Sequence, residues 1–321
     1  MDFDTIVAFD HLARRAWILA RSDESALART DAIQRAMDLP LADRRRHAKS
    51  EFVPRMSRAE FEAVVRKAKD HLERGDGQQI VLSTRFDAAS DASPSTVYET
   101  LARLNPSPYQ LLVKSGDRAL VGTSPETLVR VRGGEVTVRP IAGTRRRGAT
   151  PEEDDALEAE LLANEKENAE HVMLVDLGRN DVGRVATIGT VRVERFRTIE
   201  RYSHVMHLVS EVRGALDPNK DALDALRAAF PAGTVSGSPK VKAMQIIDAL
   251  EPCRRGPYAG CVAALDPSGE LDSCITIRTL FFSPGRVSAQ AGAGIVFDSS
   301  PSAEHDEVVH KARAATTAVN T

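Results

Sequence analysis

The segment LVRVRGGEVTVRP, residues 128–140, constrains the fold of this chain more than any other stretch. Two strand-like runs flank Gly133 and Gly134, and such a glycine pair suits the tight primed turn of a β-hairpin. The runs QLLVK and RALVG, joined by Ser-Gly-Asp, predict a second hairpin. Apolar runs at 4–9 and 16–20 predict a third. Strands joined by short turns pair antiparallel, so antiparallel sheets are expected.

Helical patterns lie between these groups of strands. Ser57 and Glu60 form a capping-box pattern ahead of apolar residues at helical spacing, and Gly75 marks the end of that helix. Thr150 and Pro151 are expected to open one long helix that contains LEAELLANEKENAEHVMLVDLGRNDVG. Other helices are expected at 23–38, 98–104, 221–229, 240–250 and 300–318, and strands at 182–196 and 272–282. This order predicts an α+β fold in which antiparallel β-sheets pack together with outer helices.

The composition is that of an ordinary globular protein, with 42% hydrophobic and 28% charged residues. A net charge of −3 argues against binding to nucleic acid or to a membrane surface. Three cysteines without close spacing suggest a reducing compartment, no disulfide framework and no zinc site. No apolar run reaches transmembrane length, so a soluble cytoplasmic protein is expected. The basic stretch ADRRRHAKS at 42–50 is interpreted as a link, which divides the chain into 1–50 and 51–321.

Two pairs of glutamates suggest a metal site. Glu167 and Glu170 lie three residues apart on a predicted helix and therefore share a face, and Glu304 with Glu307 repeats that spacing near the C-terminus. Oxygen ligands without neighbouring Cys or His clusters favour Mg²⁺, which takes few carboxylates and keeps several waters. Glutamates on a helix are more often simply solvated, and the spacing alone leaves both interpretations open.

Three further features have both a structural and a functional interpretation. The loop PAGTVSGSPK at 231–240 runs into a helix and is either a turn with a helix cap or an anion site. His204 and His207 are either packed or functional histidines. Arg278, inside the predicted strand, needs a partner, and a ligand carboxylate would serve as well as a protein one. The residues alone predict an α+β protein suited to a carboxylate-bearing ligand, without specifying a reaction.

Taken together, these motifs closely resemble the chorismate-utilising enzyme family, which includes anthranilate synthase component I and the aminodeoxychorismate, isochorismate and salicylate synthases. Within the family the likeness to anthranilate synthase component I is greatest. The resemblance spans about residues 52–315, in the family's order, and rests on QIVLSTRF, NPSPY, VGTSPETLVRV, RPIAGTRRRG, EKENAEHVMLVDLGRND, ERYSHVMHLVS, FPAGTVSGSPKVKAMQIID, RRGPYAGCVAALD, ITIRTL, QAGAGIVFDS and AEHDEVVHKARA.

The resemblance implies a metal site and a substrate site. Glu170 and Glu307 match the metal-binding glutamates, with Glu167 and Glu304 as their companions. Mg²⁺ is expected to hold the ring carboxylate of chorismate, a task suited to a metal that retains waters. Substrate contacts are implied for Tyr258, Arg278, Gly292, Gly294 and Lys311.

The resemblance also implies catalytic roles. Thr144 is expected to line the ring site, His207 to be the active-site histidine, and Glu126 to be the general acid for departure of the C4 hydroxyl. Two positions of the substrate site discriminate within the family. Gln79 stands where hydroxylating relatives carry a water-activating lysine, which disfavours attack by water. Ala142 stands where aminodeoxychorismate synthases of the common type carry a lysine nucleophile, which disfavours a covalent route at C4.

The expected function is that of a Mg²⁺-dependent lyase of tryptophan biosynthesis, which converts chorismate and ammonia to anthranilate and pyruvate. No glutaminase motif occurs, so ammonia is expected from a glutamine amidotransferase subunit, and self-association into a homo-oligomer stays open. The family's large subunits extend further at the N-terminus, so this chain is expected to be N-terminally shortened and free of tryptophan inhibition. The alternatives are another chorismate transformation, to aminodeoxyisochorismate, aminodeoxychorismate, isochorismate or salicylate, and a chorismate-binding module without turnover.

Overall fold

The computed structural model of the protein describes residues 1–39, 48–202 and 205–321. Contacts divide the chain into two units, Met1–Arg46 and His47–Thr321. Residues 42–47 of the basic stretch and His204 lie outside the described residues, and so do the predictions made for them. Within the described ranges, no helix has both the length and the apolar character that a membrane crossing requires.

The first unit contains the predicted N-terminal hairpin. Strands β1 (Thr5–Asp10) and β2 (Arg15–Ala20) pair antiparallel, and helix α1 (Ala26–Met37) follows them. Arg29 on this helix donates a 3.0 Å hydrogen bond to the Thr5 hydroxyl, which ties the helix to the first strand. The hairpin and the helix predicted here are confirmed.

The second unit contains the other helices and strands. Its helices are α2 (Arg58–Glu73), α3 (Pro94–Leu104), α4 (Pro151–Ala163), α5 (Glu165–Gly183), α6 (Ala222–Ala229), α7 (Gly233–Ser236), α8 (Lys240–Leu250) and α9 (Pro301–Val319). Its strands are β3 (Val53–Pro54), β4 (Gln79–Ala89), β5 (Tyr109–Ser115), β6 (Arg118–Ser124), β7 (Thr127–Arg132), β8 (Glu135–Val138), β9 (Ile141–Arg146), β10 (Arg192–Arg201), β11 (Val205–Ala215), β12 (Gly237–Ser238), β13 (Cys261–Leu265), β14 (Leu271–Ile275), β15 (Thr279–Ser283) and β16 (Arg286–Ile295).

The described strands of this unit form two seven-stranded sheets. The first sheet has the order β12-β4-β16-β15-β6-β5, with β3 also paired to β4. The second sheet has the order β10-β11-β8-β7-β14-β13, with β9 also paired to β11. The pairings are antiparallel, which confirms the predicted α+β class and both central hairpins.

Each sheet buries one face against helices. Helices α2, α3 and α9 cover the first sheet, where Phe61, Leu101 and Val308 are completely buried in one apolar cluster. Helices α5 and α6 contribute Val175 and Ala225 to a second cluster against the other sheet. Burial of these side chains supplies the main driving force that holds helices and sheets together.

The single long helix predicted from residue 150 is wrong. Helices α4 and α5 are separated at Asn164, whose backbone is extended (φ −71°, ψ 109°). The Asn164 side chain accepts a 3.0 Å hydrogen bond from the Glu167 amide and thereby caps α5. Asparagine side chains compete for backbone groups in this way, which favours a helix boundary over a helix interior. The break gives Glu167 a place in the first turn of α5.

The strands predicted at 182–196 and 272–282 are wrong as single elements. The first region begins inside α5, and its strand starts only at Arg192. The second region divides between the two sheets, because β14 ends at Ile275 and β15 begins at Thr279. Arg278 therefore lies in a connection rather than a strand, with a φ of 49° in the left-handed region that few residues other than glycine adopt.

Two crossovers between the sheets lie side by side. One runs from β6 to β7 through Glu126, and the other runs from β14 to β15 through Arg278. The Ile275 amide donates to the Glu126 carbonyl (3.0 Å), and the Thr123 amide donates to the Arg278 carbonyl (3.2 Å). This pairing of the connections places Glu126 and Arg278 together where the two sheets meet.

Candidate active site

Glu126, at the junction of the sheets, carries a carboxyl group held by a hydroxyl. Thr234 Oγ1, on the short helix α7, donates a 2.8 Å hydrogen bond to Glu126 Oε1. Burial raises the pKa of Glu126 to about 7, although that bond and the charges of Arg278 and Lys311 oppose the shift. A large fraction of this carboxyl is therefore protonated near neutral pH and able to donate a proton, as a general acid must.

Arg278 and Tyr258 add a cation and a hydroxyl beside this acid. The Arg278 side chain forms no ion pair with the described residues, and burial lowers its pKa against the influence of Glu126 and Tyr258. Burial also raises the pKa of Tyr258 to about 12, so its phenol stays protonated. Among the described residues, no carboxylate contacts Arg278, so its predicted need for a partner is unmet. A ligand carboxylate would meet it.

Arg255 holds the ring of Tyr258 in place. Its guanidinium lies 5.6 Å from the centre of that ring and forms a two-point ion pair with Glu251 at 2.9 and 2.6 Å. It also donates to the carbonyls of Val81 (2.7 Å) and Val235 (2.6 Å), so strand β4 and helix α7 are joined to the same group. The Glu251 side chain is only 4% exposed. Sequence reasoning missed this pair, although its i, i+4 spacing was a usable signal.

Two glycines of β16 allow these side chains to approach the strand. A β-carbon at Gly292 would lie 2.7 Å from the Tyr258 hydroxyl, and one at Gly294 would lie 2.3 Å from Gln79 Nε2. A β-carbon at Gly292 would also lie 2.7 Å from the Leu82 carbonyl oxygen, so the backbone itself requires glycine there, whereas at Gly294 the end of the Gln79 side chain would have to shift. Lys311 Nζ, on α9, donates a 3.2 Å hydrogen bond to the Gly292 carbonyl. The substrate-site residues predicted on this strand and helix are thus neighbours in the structure.

The carboxylates of α5 and α9 lie within electrostatic reach of one another. Burial raises the pKa of Glu170, and the negative charges of Glu167 and Glu307 raise it further. Burial likewise raises the pKa of Glu304, with a further contribution from Glu307. Gln79 Nε2 donates a 3.4 Å hydrogen bond to Glu170 Oε1 and so joins strand β4 to this group.

This donor set suits a hard divalent cation. Glu307 pairs with Lys311 (2.5 Å), and Glu167 pairs with Arg145 (3.2 Å). Glu170 and Glu304 form no ion pair with the described residues. Across the described ranges, no three His, Cys, Asp or Glu side chains are arranged closely enough to hold a metal ion by themselves. Mg²⁺ takes few carboxylates because it keeps several waters, and its charge would relieve the repulsion between these groups. The residues present fit Mg²⁺.

Thr144 and His207 lie opposite each other on the paired strands β9 and β11. The Thr144 hydroxyl is 3.0 Å from His207 Nδ1, and the Gly143 carbonyl is 3.2 Å from the same nitrogen. Burial lowers the pKa of His207, so a neutral imidazole is expected at neutral pH. Ala142, 9% exposed, precedes these residues on β9 and offers no functional group.

Two other residues of the site were missed from the sequence. Thr234 belongs to the loop that was identified only as a turn or an anion site, and it binds Glu126 instead. Arg145 pairs with Glu160 at 2.9 Å as well as with Glu167, so it restrains one of the four carboxylates. Neither role follows from local spacing, because both depend on segments that are distant in the sequence.

Comparison with known proteins identifies the family. The profile of a family described as chorismate binding enzyme matches residues 1–317. The chain belongs to the chorismate-binding enzymes. Anthranilate synthase component 1 of Streptomyces coelicolor is 48% identical to this chorismate-binding enzyme over 335 aligned residues, 98% of this chain and 66% of the relative. The counterpart in Cereibacter sphaeroides is 56% identical over 254 residues, 79% of this chain and 51% of the relative.

Solved structures agree with the fold of this chorismate-binding enzyme. Anthranilate synthase component I of Streptococcus pneumoniae superposes with a TM-score of 0.90 at 40% identity, over 98% of this chain and 72% of that one. The family and the fold expected from the sequence are therefore confirmed. This chorismate-binding enzyme spans about half to two thirds of the length of the curated relatives described above.

Proposed function

We propose that this chorismate-binding enzyme is the chorismate-transforming subunit of an anthranilate synthase, which forms anthranilate and pyruvate from chorismate and ammonia. The observation that carries the proposal is the neutral amide of Gln79 beside Glu170, at 3.4 Å. Attack by water at C2 of the substrate requires a base to remove a proton, and an amide cannot act as one. Ammonia needs no such base, because its lone pair is available once it is unprotonated.

Chorismate carries two carboxylates, and the site offers cations for them. Arg278, which contacts no carboxylate among the described residues, binds one substrate carboxylate together with the protonated hydroxyl of Tyr258. The carbonyl contact of Lys311 holds its ammonium beside Gly292, at the edge of the same site. Because Gly292 and Gly294 have no side chains, the substrate can lie against the backbone of β16.

Glu126 acts as the general acid when the C4 hydroxyl departs. As ammonia bonds to C2, the two ring double bonds shift and the bond from C4 to oxygen breaks. That oxygen takes the Glu126 proton and leaves as water. The raised pKa of Glu126, about 7, supports this role because the carboxyl is protonated when the substrate arrives. Thr234 fixes the carboxyl by its 2.8 Å hydrogen bond.

Glu170 and Glu307 would hold Mg²⁺, with Glu167 and Glu304 as companions in the same group. When bound, the ion supplies positive charge for the ring carboxylate of the substrate. Thr144 lines the ring site, and the neutral imidazole of His207, held by Thr144 and Gly143, stands beside it. C2 then loses its proton while the bond from C3 to the enolpyruvyl oxygen breaks, which makes the ring aromatic, and the released enolpyruvate takes a proton to become pyruvate.

Ammonia is proposed to come from a glutamine amidotransferase subunit, as expected for a chain related to component 1 of an anthranilate synthase. Added ammonium replaces such a subunit in a simple test. The purified chain is incubated with chorismate, MgCl₂ and ammonium at pH 8 and the product is followed by anthranilate fluorescence. Formation of anthranilate that is lost on chelation with EDTA supports the proposal. Chorismate that stays unchanged, or another product identified by mass, rejects it.

The matched control for this assay is Glu126→Gln. It preserves the size of the side chain and the acceptor for Thr234 but removes the transferable proton. A fall in turnover of about 100-fold or more is expected, with chorismate binding retained. Equal turnover in the variant would exclude Glu126 as the acid.

A further inference from the structure

A cavity of about 50 Å³ lies beside Glu126, between the second sheet and helices α5 and α6. Most of its wall is apolar, and its polar lining residues are Glu126, Thr127, Arg139, Asp181 and Thr234. It opens toward solvent. The volume suffices for several waters, since one water needs about 10–15 Å³, and the polar lining groups offer hydrogen-bond partners for them. We refer to it as the Glu126 cavity.

Glu126 belongs both to this cavity and to the candidate active site. Arg278, Tyr258 and Lys311, the groups that influence the Glu126 carboxyl from the site, do not line the cavity. Thr234 does, and its hydroxyl donates to Glu126 while two lone pairs stay available to accept from water. Glu126 is thus shared between the candidate site and the cavity, whereas Arg278, Tyr258 and Lys311 are not.

Asp181, one of the polar lining residues of the cavity, forms an ion pair with Lys240. Lys240 Nζ lies 3.0 Å from Asp181 Oδ1, and it also donates to the Ala229 carbonyl at 3.3 Å. The side chains of Lys240 and Asp181 are only 15% and 13% exposed. Burial raises the pKa of Asp181, while Lys240 and Arg184 act against that shift. A buried ion pair needs further hydrogen-bond partners, and cavity waters can provide them.

The proposed function requires that Glu126 regain a proton in every cycle. Its proton leaves with the C4 oxygen as water, and Glu126 remains as a carboxylate. The nitrogen that has bonded to C2 releases one proton to solvent, so the whole reaction is balanced. The aminated ring still occupies the site side of Glu126 after this step, which leaves the other side of the carboxyl for proton return.

We propose that the Glu126 cavity is the path by which solvent returns a proton to Glu126 after each turnover, with Thr234 bridging the carboxyl to cavity water. This inference rests on the proposed function. Asp181 and Lys240 act as positioning residues that keep the path hydrated. The oxygen–hydrogen bond that forms is on the Glu126 carboxyl, and the one that breaks is on a hydronium ion or buffer acid at the mouth of the path.

The test fills the cavity from its apolar wall. Leu177 lines it, so Leu177→Phe narrows the path, and Leu177→Met is a control of similar volume. With Leu177→Phe we expect kcat to fall by about tenfold, with the KM values for chorismate and ammonium unchanged. The solvent deuterium isotope effect on kcat should rise, because proton return becomes rate-limiting. A merely structural effect would not change the isotope effect.

Other outcomes overturn the proposal. An unchanged kcat, or a lower kcat with an unchanged isotope effect, rejects a proton path. A raised KM for ammonium with an unchanged isotope effect would assign the cavity to entry of the nucleophile instead. Asp181→Asn supplies a second variant, for which the same increase in isotope effect is expected without filling the cavity.

A measurement without turnover separates this inference from the proposed function. With chorismate bound and no ammonium present, the infrared carbonyl band of protonated Glu126 is identified by its loss in Glu126→Gln. Transfer to D₂O should shift that band quickly in the unsubstituted protein and in Leu177→Met, and more slowly in Leu177→Phe. Equal exchange rates in all three would reject the path, whatever product the enzyme forms.

Discussion

The side-chain amide of Gln79 donates a 3.4 Å hydrogen bond to Glu170, so the position proposed to select the attacking nucleophile lies against a proposed metal ligand. Gln79 is 3% exposed, and its side chain packs directly against Gly294 of β16, where a β-carbon would lie 2.3 Å from Gln79 Nε2. We therefore expect nucleophile choice and metal binding to be coupled at this point of the site.

A lysine at position 79 should weaken Mg²⁺ binding. In Gln79→Lys the ammonium group would pair with Glu170 and compete with the metal for its charge. We expect the Mg²⁺ concentration for half-maximal activity to rise by about tenfold or more. The neutral variant Gln79→Leu, which adds no charge, is the control. An unchanged Mg²⁺ requirement in Gln79→Lys would show that the two positions are independent.

Glu170→Gln should remove metal-dependent turnover, because a neutral amide replaces a proposed ligand whose charge no cation among the described residues pairs with. A loss of about 100-fold or more in kcat is expected, whereas Glu165→Gln, exposed on the same helix, should leave kcat unchanged. Glu170→Gln should also raise the melting temperature in the absence of Mg²⁺, since it removes a buried charge that Glu167 and Glu307 repel. Full activity in Glu170→Gln would refute the metal assignment.

The pKa of Glu126 predicts the pH dependence of activity. With the concentration of unprotonated ammonia held constant, kcat/KM for chorismate should fall as pH rises above about 7, because the carboxyl loses its proton. A profile that stays flat from pH 6 to pH 9 would argue against a protonated Glu126 in catalysis.

The same group makes a stability prediction. The pKa of Glu126 is about 7 in the folded chain, and an unfolded carboxyl titrates near its ordinary value, about 4.3. Between these values the folded chain binds more protons than the unfolded chain, so the contribution of Glu126 to stability declines as pH rises. Glu126→Gln should therefore raise the melting temperature at pH 8 more than at pH 5. Equal shifts at both pH values would contradict a raised pKa.

Replacing only one member of the ion pair between Glu251 and Arg255 should lower the free energy of unfolding strongly. Arg255→Met leaves the Glu251 side chain, 4% exposed, as an unpaired buried charge, and a loss of about 3–5 kcal/mol in the free energy of unfolding is expected. The double variant with Glu251→Gln should recover much of it. Arg179→Met, which breaks an exposed pair with Asp176, should change stability by less than about 1 kcal/mol in the same denaturant titration.

Local sequence patterns were sufficient for much of the fold. The turn at Gly133 and Gly134 and the capping box at Ser57 act over a few residues, so they are visible without tertiary context. The break at Asn164 was missed because asparagine is tolerated inside helices as well as at their ends. The left-handed backbone of Arg278 was missed because the surrounding apolar residues continue a strand pattern across a change of sheet.

The candidate site was predictable mainly through its motifs. Glutamates on two helices could be paired by their spacing, and the structure brings their charges together. The partners that tune the site were not predictable from spacing, because they come from distant segments. Thr234 reaches Glu126 across more than a hundred residues of sequence, and Arg255 reaches the carbonyl of Val81 across an even longer separation.

An isotope experiment tests the central claim most directly. The purified chain is supplied with chorismate, MgCl₂ and ¹⁵N-ammonium in water enriched in ¹⁸O, and the aromatic product is analysed by mass. We predict anthranilate that carries ¹⁵N and no ¹⁸O on the ring, formed together with pyruvate. A ring product that carries ¹⁸O at C2, or no product at all, would contradict the claim that this site directs ammonia to chorismate.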